Sequence, residues 1–394
     1  MSHLRYLTAG ESHGEALLGI LEGVPAGLPL SERDLRAELK RRQGGYGRGG
    51  RQKIERDRAK ILCGVRYGET LGSPIGLLLR NRDWKNWKTK MAREPRAERS
   101  AAVTVPRPGH VDYAGLIKYR RRDIRDLLER ASARETAMRV ALGTIARRLL
   151  EALGIRIGSH IVRIGAVEAP PLPAELAAGE LNRRADRSPV RCLDPATSRA
   201  MVAAIDAARA ARNSLGGIYE VAVDGLPAGL GSHVHWDRKL DGRLAQALMS
   251  IPATKAVEIG AGFAQAALLG SEVHDEFLPG AGRRPRRPTN RAGGLEAGIT
   301  NGERLLVRGG MKPIATLMRP LRSVDLASGK PAAAFRERAD VCAVPAAGVI
   351  AEAVVALVLA DAVLEKFGGD SMAELGEAWQ RHWDYWTGKK SALG

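Results

Sequence analysis

From Ala346 to Gly369 the sequence reads AAGVIAEAVVALVLADAVLEKFGG, and no other stretch constrains the fold as much. A helix that is apolar all round has no face to offer water, so it lies either inside a protein core or across a bilayer. Three acids decide between the two. Glu352, Asp361 and Glu365 recur along the stretch, and a carboxylate at a bilayer centre costs about 2.5–3.5 kcal/mol even on insertion scales. A buried helix is therefore expected, with Gly368 and Gly369 ending it.

A chain of 394 residues allows two or three domains by length, or one large elaborated core. Hydrophobic residues make up 44% but aromatics only 4%, so the interior has to be built mainly of Ala, Val, Leu and Ile, as in an ordinary soluble globular protein. Cys63, Cys192 and Cys342 are far apart, odd in number and without a CxxC pair. That argues against a disulfide framework or a zinc site, so no metal is expected and a reducing cytoplasm fits best. The opening MSHLRYLTAG lacks the run of about 7–15 apolar residues that a secretory signal needs. A cytoplasmic location away from membranes is the expectation.

Charge is the loudest compositional signal, with 62 Lys and Arg against 44 Asp and Glu leaving +18. An anionic partner follows. Zinc-finger spacing, RNA-recognition aromatic strings and basic zippers are all missing, and the arginines run along the whole chain, which disfavours nucleic acid. A small polyanion in an arginine-lined cleft is the rival candidate, although drift in an Arg- and Ala-rich proteome explains part of the excess equally well.

Strand and helix patterns interleave without a fixed-period repeat. SERDLRAELKRR reads as a Ser-capped helix broken at Gly44 and Gly45, followed by the basic glycine-rich loop QGGYGRGGRQK. AKILCGV and PIGLLLRN read as strands, and residues 83 to 110 as a long irregular segment holding Trp84 and Trp87. One long helix is expected from Arg122 to Gly154. IRIGSHIVRIG and GIYEVAVDGL read as strands around a helix over DPATSRAMVAAIDAARAARNSLGG, with another helix at KLDGRLAQALMS. ERLLVRGGMKPIATLM reads as two strands around Gly309 and Gly310, and residues 371–394 as a tail. GAGFAQAALLG lacks the third glycine of a dinucleotide-binding turn.

Three polar clusters carry chemistry. TAGESHGEALLG sets Ser12 and His13 between Gly10 and Gly14, where an imidazole that titrates near neutrality can approach a ligand and act as a general acid. VPRPGHVDYAG exposes Arg107 and His110 around Pro108 and Gly109. ERASARETAMR sets Arg130 and Arg134 four apart, on one face if helical, with Ser132 and Thr136 nearby, enough donors to grip phosphate or carboxylate. Taken singly, a solvated turn, an exposed loop and surface ion pairs with Glu129 and Glu135 account for them as well.

Together with RERADVCAVPAAGVIAEA, these clusters resemble the three signature regions of the chorismate synthase family, and the resemblance also takes in RRQGGYGRGGR, RPGH, NRAGGLEAGITNG and MKPIAT. It spans about Leu4 to Asp370 as a single catalytic domain. It implies an α+β fold, a large β-α-β sandwich with long central helices between antiparallel sheets, assembled as a homotetramer. It further implies a lyase that converts 5-enolpyruvylshikimate 3-phosphate to chorismate and phosphate by 1,4-anti elimination, with reduced FMN required and NADPH as a possible flavin reductant. The charge then answers to a substrate with one phosphate and two carboxylates and a cofactor with another phosphate.

Carried over by resemblance, His13 matches the histidine near the leaving phosphate, His110 the one beside the flavin, and Asp340 the acid that assists proton transfer. Ser12, Arg42, Arg48, Arg107 and Arg134 match substrate contacts, with Arg42 and Arg48 also matching a nicotinamide-nucleotide contact. The FMN positions are Arg130, Ala131, Ser132, Pro252, Ala253, Ala297, Lys312, Pro313, Ile314, Ala315, Thr316 and Arg338. Pro252 stands where relatives commonly carry Gln, which removes a side-chain hydrogen bond. Ala297 replaces a frequent Gly, harmless unless that position needs positive φ.

Overall fold

The computed structural model describes residues 3–50, 54–95, 100–280, 284–337 and 339–388. Its centre is the expected buried helix, Val344–Phe367, which ends at Gly368. By length and composition it could cross a membrane, yet 94% of its most apolar window is buried inside the fold. A second long helix, Thr136–Ala152, packs along it. The two approach closely because Gly143 has no side chain: a Cβ there would lie 2.6 Å from the Ala353 carbonyl oxygen.

Two antiparallel sheets cover this helical layer. The first runs Arg5–Ala9, Ala16–Glu22, Ile75–Arg80, Ala59–Cys63. Its strands alternate as a half-buried sheet must, with Leu17, Leu21, Ile75, Leu77 and Leu79 facing the helices and Leu18 and Ile20 facing out. The second runs Thr254–Ile259, Leu305–Met311, Gly217–Asp224, Arg156–Ile164, Val167–Glu168. It packs on the central helix and is covered on its other side by Ala178–Ala185. The architecture is the α+β sandwich with helices between antiparallel sheets. The three cysteines are free.

Two local expectations are corrected. ERLLVRGGMKPIATLM does not make two strands; Leu305–Met311 runs straight through both glycines, because the Tyr219 hydroxyl fills the space 2.2 Å from where a Gly309 Cβ would stand. The single helix expected from Arg122 is broken into Arg125–Leu128, a 3-10 turn at Ala133–Glu135 and Thr136–Ala152. Ser132 is extended and its hydroxyl accepts from the Arg134 N–H, so a fresh helix start outcompetes continuation. Residues 371–394 include a helix, Met372–Thr387, whose Leu375 and Trp379 are buried.

The most deeply buried acid of the central helix is Glu352, 1% exposed. Both oxygens of Glu352 are held by Arg41 at 2.8 Å. Arg147 donates at 2.6 Å, Arg191 at 3.1 Å, Ser159 at 2.5 Å and Asn182 at 2.9 Å. The network ties the central helix to the Glu32–Gln43 and Thr136–Ala152 helices and to the second sheet.

Ala297 has φ +51, so the position does need the left-handed backbone. It turns between Leu295–Glu296 and Ile299–Thr300 and is exposed. Ala297→Gly is expected to raise stability by about 0.5–1 kcal/mol, read as a higher urea midpoint, because glycine relieves the Cβ strain at some cost in unfolded-state entropy. An unchanged or lower midpoint counts against strain at this turn.

Candidate active site

A cavity of about 1230 Å³ opens where the sandwich ends in loops. Its floor is the first turns of the central helix, Ala343, Ala346, Ala347 and Ile350. Its walls come from the opening turn, the glycine-rich loop, the 83–90 segment, the RPGH turn, the broken helix at 125–136, residues 249–255 and residues 311–316. Among the described lining residues nine are Lys or Arg and five are Asp or Glu, so the space favours anions.

The opening turn is positioned by Glu129: the Ser12 N–H donates to its carbonyl at 3.0 Å. The His13 N–H and Nδ1 meet one carboxylate oxygen at 2.9 and 2.8 Å, and Arg125 meets the other at 2.9 Å. Burial works against the ionised form of Glu129, but the hydrogen bonds and charge at His13, with the charge of Arg125, outweigh it and hold the carboxyl below its usual range. The His13 ring also stacks on Trp87, with centroids 3.8 Å apart and planes at 21°.

His110 is arranged in the same way. Its Nδ1 lies 2.5 Å from Asp112, which is fully buried and grips Arg107 through both oxygens at 2.8 and 3.0 Å. Burial again opposes ionisation of Asp112, and the hydrogen bonds from His110 and Arg107 again prevail, leaving its carboxyl well below the ordinary carboxylate range. Arg107 reaches on to Thr316 at 3.0 Å, and Lys312 holds the Gly109 carbonyl at 2.6 Å. Asp340 accepts from the Gly49 N–H at 2.6 Å and pairs with Arg48 at 2.8 Å, fastening the glycine-rich loop to the segment leading into the central helix.

Arg42 and Arg134 are 3% and 7% exposed and share Asp57. Arg134 also meets Asn81 at 2.9 Å; Arg42 meets Thr136 at 3.0 Å and the Ala133 carbonyl at 2.8 Å. Arg42 Nη1 and Arg134 Nη2 are buried without a hydrogen bond but lie 3.5 Å from Asp57 and 3.6 Å from Glu55. Burial pushes Arg42 down to about 9, with Arg48 and Arg134 adding to the fall and Asp57 opposing it. It stays cationic at neutral pH, with Asp57 3.5 Å from its Nη1 as counter-charge.

The cavity gathers Ser12, His13, Arg42, Arg48, Arg107, His110, Arg134 and Asp340, and with them Ala131, Ser132, Pro252, Ala253, Lys312, Ile314, Ala315 and Thr316. Arg130, Pro313 and Ala297 do not line it, and Arg338 lies outside the described residues. Arg130 is exposed and binds the Thr8 and Gly10 carbonyls at 2.7 and 3.1 Å, on the far side of the helix break from Arg134. The Ala253 carbonyl accepts from the Lys312 N–H at 2.9 Å, so the stretch after Pro252 is held through its backbone.

Comparison with known proteins bears on this arrangement directly. The chorismate synthase family profile matches residues 4–364. The chorismate synthase of Moorella thermoacetica is 60% identical over 374 residues, covering 95% of this chain and 97% of its own. That of Chlorobaculum tepidum is 54% identical over 381 residues, covering 95% and 96%. A crystal structure of chorismate synthase superposes with TM-score 0.79 at 43% identity over 98% of both chains. The chain belongs to the chorismate synthase family. As a member of the chorismate synthase family it is an enzyme of the lyase class.

Several residues around this chorismate synthase cavity escape sequence reasoning. Asp112 carries a weak signal, an acid two residues after His110 in a turn. Glu129, Trp87, Asp57 and Asn81 carry none, since only the tertiary fold brings them to His13 and to the arginines.

Proposed function

We propose that this protein converts 5-enolpyruvylshikimate 3-phosphate to chorismate and phosphate, the last step of the shikimate pathway, with reduced FMN bound beside the substrate. The carrying observation is the single cavity that brings Arg42, Arg48, Arg107 and Arg134 together with His13 and His110. One ligand typically fills about 300–1,000 Å³, and this cavity of about 1230 Å³ leaves room for two. Family membership supplies the reaction.

The residues fit a flavin mononucleotide as well as a phosphorylated substrate. Ser132, the backbone at Ala253 and the Lys312–Thr316 segment offer the polar groups that would hold FMN, and Arg42, Arg48, Arg107 and Arg134 those that would grip substrate anions. When bound, reduced FMN supplies transient electron donation that helps expel phosphate and a site to receive the ring proton. His13, its Nδ1 tied to Glu129, offers Nε2 to protonate the departing phosphate. His110 and Asp340 steady charge and move a proton on the flavin side. NADPH as flavin reductant, a homotetramer and a cytoplasmic setting complete the proposal.

The test is an anaerobic assay with dithionite-reduced FMN and the enolpyruvyl substrate, following chorismate absorbance. Product is expected only with reduced FMN. Equal rates with oxidised FMN would sink the reading.

A further inference from the structure

The carboxylate of Glu129 is buried at 2% exposure, and three donors converge on it: the His13 N–H, His13 Nδ1 and Arg125 Nη1. Trp87 fixes the plane of the same imidazole from one face. The indole is itself anchored, its Nε1 donating to Asp83 at 3.2 Å while the cationic groups of Arg125 and Lys90 lie 5.1 and 5.2 Å from its ring. Glu337 adds a second acid to Arg125 at 3.6 Å. Of the charged groups on the elements around the ring, namely Glu129, Arg125, Lys90, Asp83 and Glu337, only Glu129 bonds to the imidazole. His13 Nε2 has no hydrogen-bond partner among the described residues.

We propose that Glu129 is a positioning residue: it holds His13 with the proton on Nδ1, so that Nε2 alone exchanges a proton with a ligand in the cavity. The inference rests on the reading of His13 as the proton donor. An imidazole bonded through one nitrogen to a fixed acceptor is restricted to one tautomer and one orientation, and loss of that restriction costs rate even when every reacting group is kept. Both His13 donors share one oxygen, so an amide could keep them by turning its NH2 to Arg125, and the variant that removes the acceptor is Glu129→Ala.

Two measurements test this. In protein labelled with 15N-histidine, the His13 signals are identified by their loss in His13→Ala, and the ligand-free wild type is titrated. Nδ1 is expected to stay protonated throughout while Nε2 alone titrates; a neutral form with its proton on Nε2 overturns the proposal. In Glu129→Ala, kcat is expected to fall about tenfold to a hundredfold with KM within about twofold of wild type, since orientation and not binding is lost. A folded Glu129→Ala protein with wild-type kcat overturns the proposal too. Should that variant not fold, the wild-type titration decides by itself. The two readings fail separately: normal turnover in His13→Ala removes the role of His13, whereas the titration reports the Glu129 contact whatever the turnover.

Discussion

Replacing His13 by Ala lowers turnover by about a hundredfold or more, the scale of losing a general acid, while FMN and substrate still bind. Phosphate leaves more easily if a proton reaches it as the bond to carbon breaks. The substrate's grip does not depend on this ring, because Arg42, Arg48, Arg107 and Arg134 are held by other partners: Asp57, Asp340, Asp112 and Asn81. His13→Asn is expected to be nearly as poor, since an amide donates a hydrogen bond but gives up no proton. Anaerobic single-turnover kinetics with both ligands saturating make the comparison. Near-normal turnover in either variant would return the opening turn to a structural part and move proton delivery to His110 and Asp340.

The second large effect concerns stability. Glu352→Ala removes the buried acceptor shared by Arg41, Arg147 and Arg191 and leaves them only the more exposed acids Glu38, Asp186 and Glu151, and breaking a buried pair in this way costs about 3–5 kcal/mol. Much of the stability of an ordinary domain would vanish, so a large fall in urea midpoint or a loss of soluble protein is expected. A midpoint within experimental error of wild type would show that the arginines are hydrated or re-paired. Acid should act in the same direction. Burial opposes ionisation of Glu352, but the charges of Arg41, Arg147 and Arg191 prevail and hold its carboxyl far below the ordinary 4.5. A depressed folded-state value means that the contribution is complete above pH 4.5 and drains away as pH falls below it.

The central helix was legible in the sequence because apolar residues on every side leave only burial, and its acids pointed away from a membrane. What Glu352 does there was not legible, since its three arginines come from positions 41, 147 and 191. Of the first sheet, Ala59–Cys63 and Ile75–Arg80 were legible as apolar runs between turns, whereas Arg5–Ala9 and Ala16–Glu22, which frame the polar opening turn, were not. Nor was the break at residues 129–135, because the periodicity of ERASARETA is helical and the interruption depends on Ser132 capping a new turn and on Arg42 taking the Ala133 carbonyl. Arg130 and Arg134 therefore part company despite their helical spacing. The three polar clusters that the sequence offered do meet in one cavity, whereas the partners that orient them, Glu129 and Trp87 above all, lie 116 and 74 positions from His13 and are joined to it only by folding.

The alanine floor has an evolutionary consequence. Ala343, Ala346 and Ala347 keep the cavity open simply by being small. Drift from Ala346 to Leu would preserve helix propensity, and the position lies outside the packed core cluster that holds Ala347, so selection for a folded chain would resist it little. The newcomer would nonetheless take up space that two ligands need. A lineage could thus go silent with His13, His110, Asp340 and every arginine still in its sequence, and the loss would be written only in the girth of one helix.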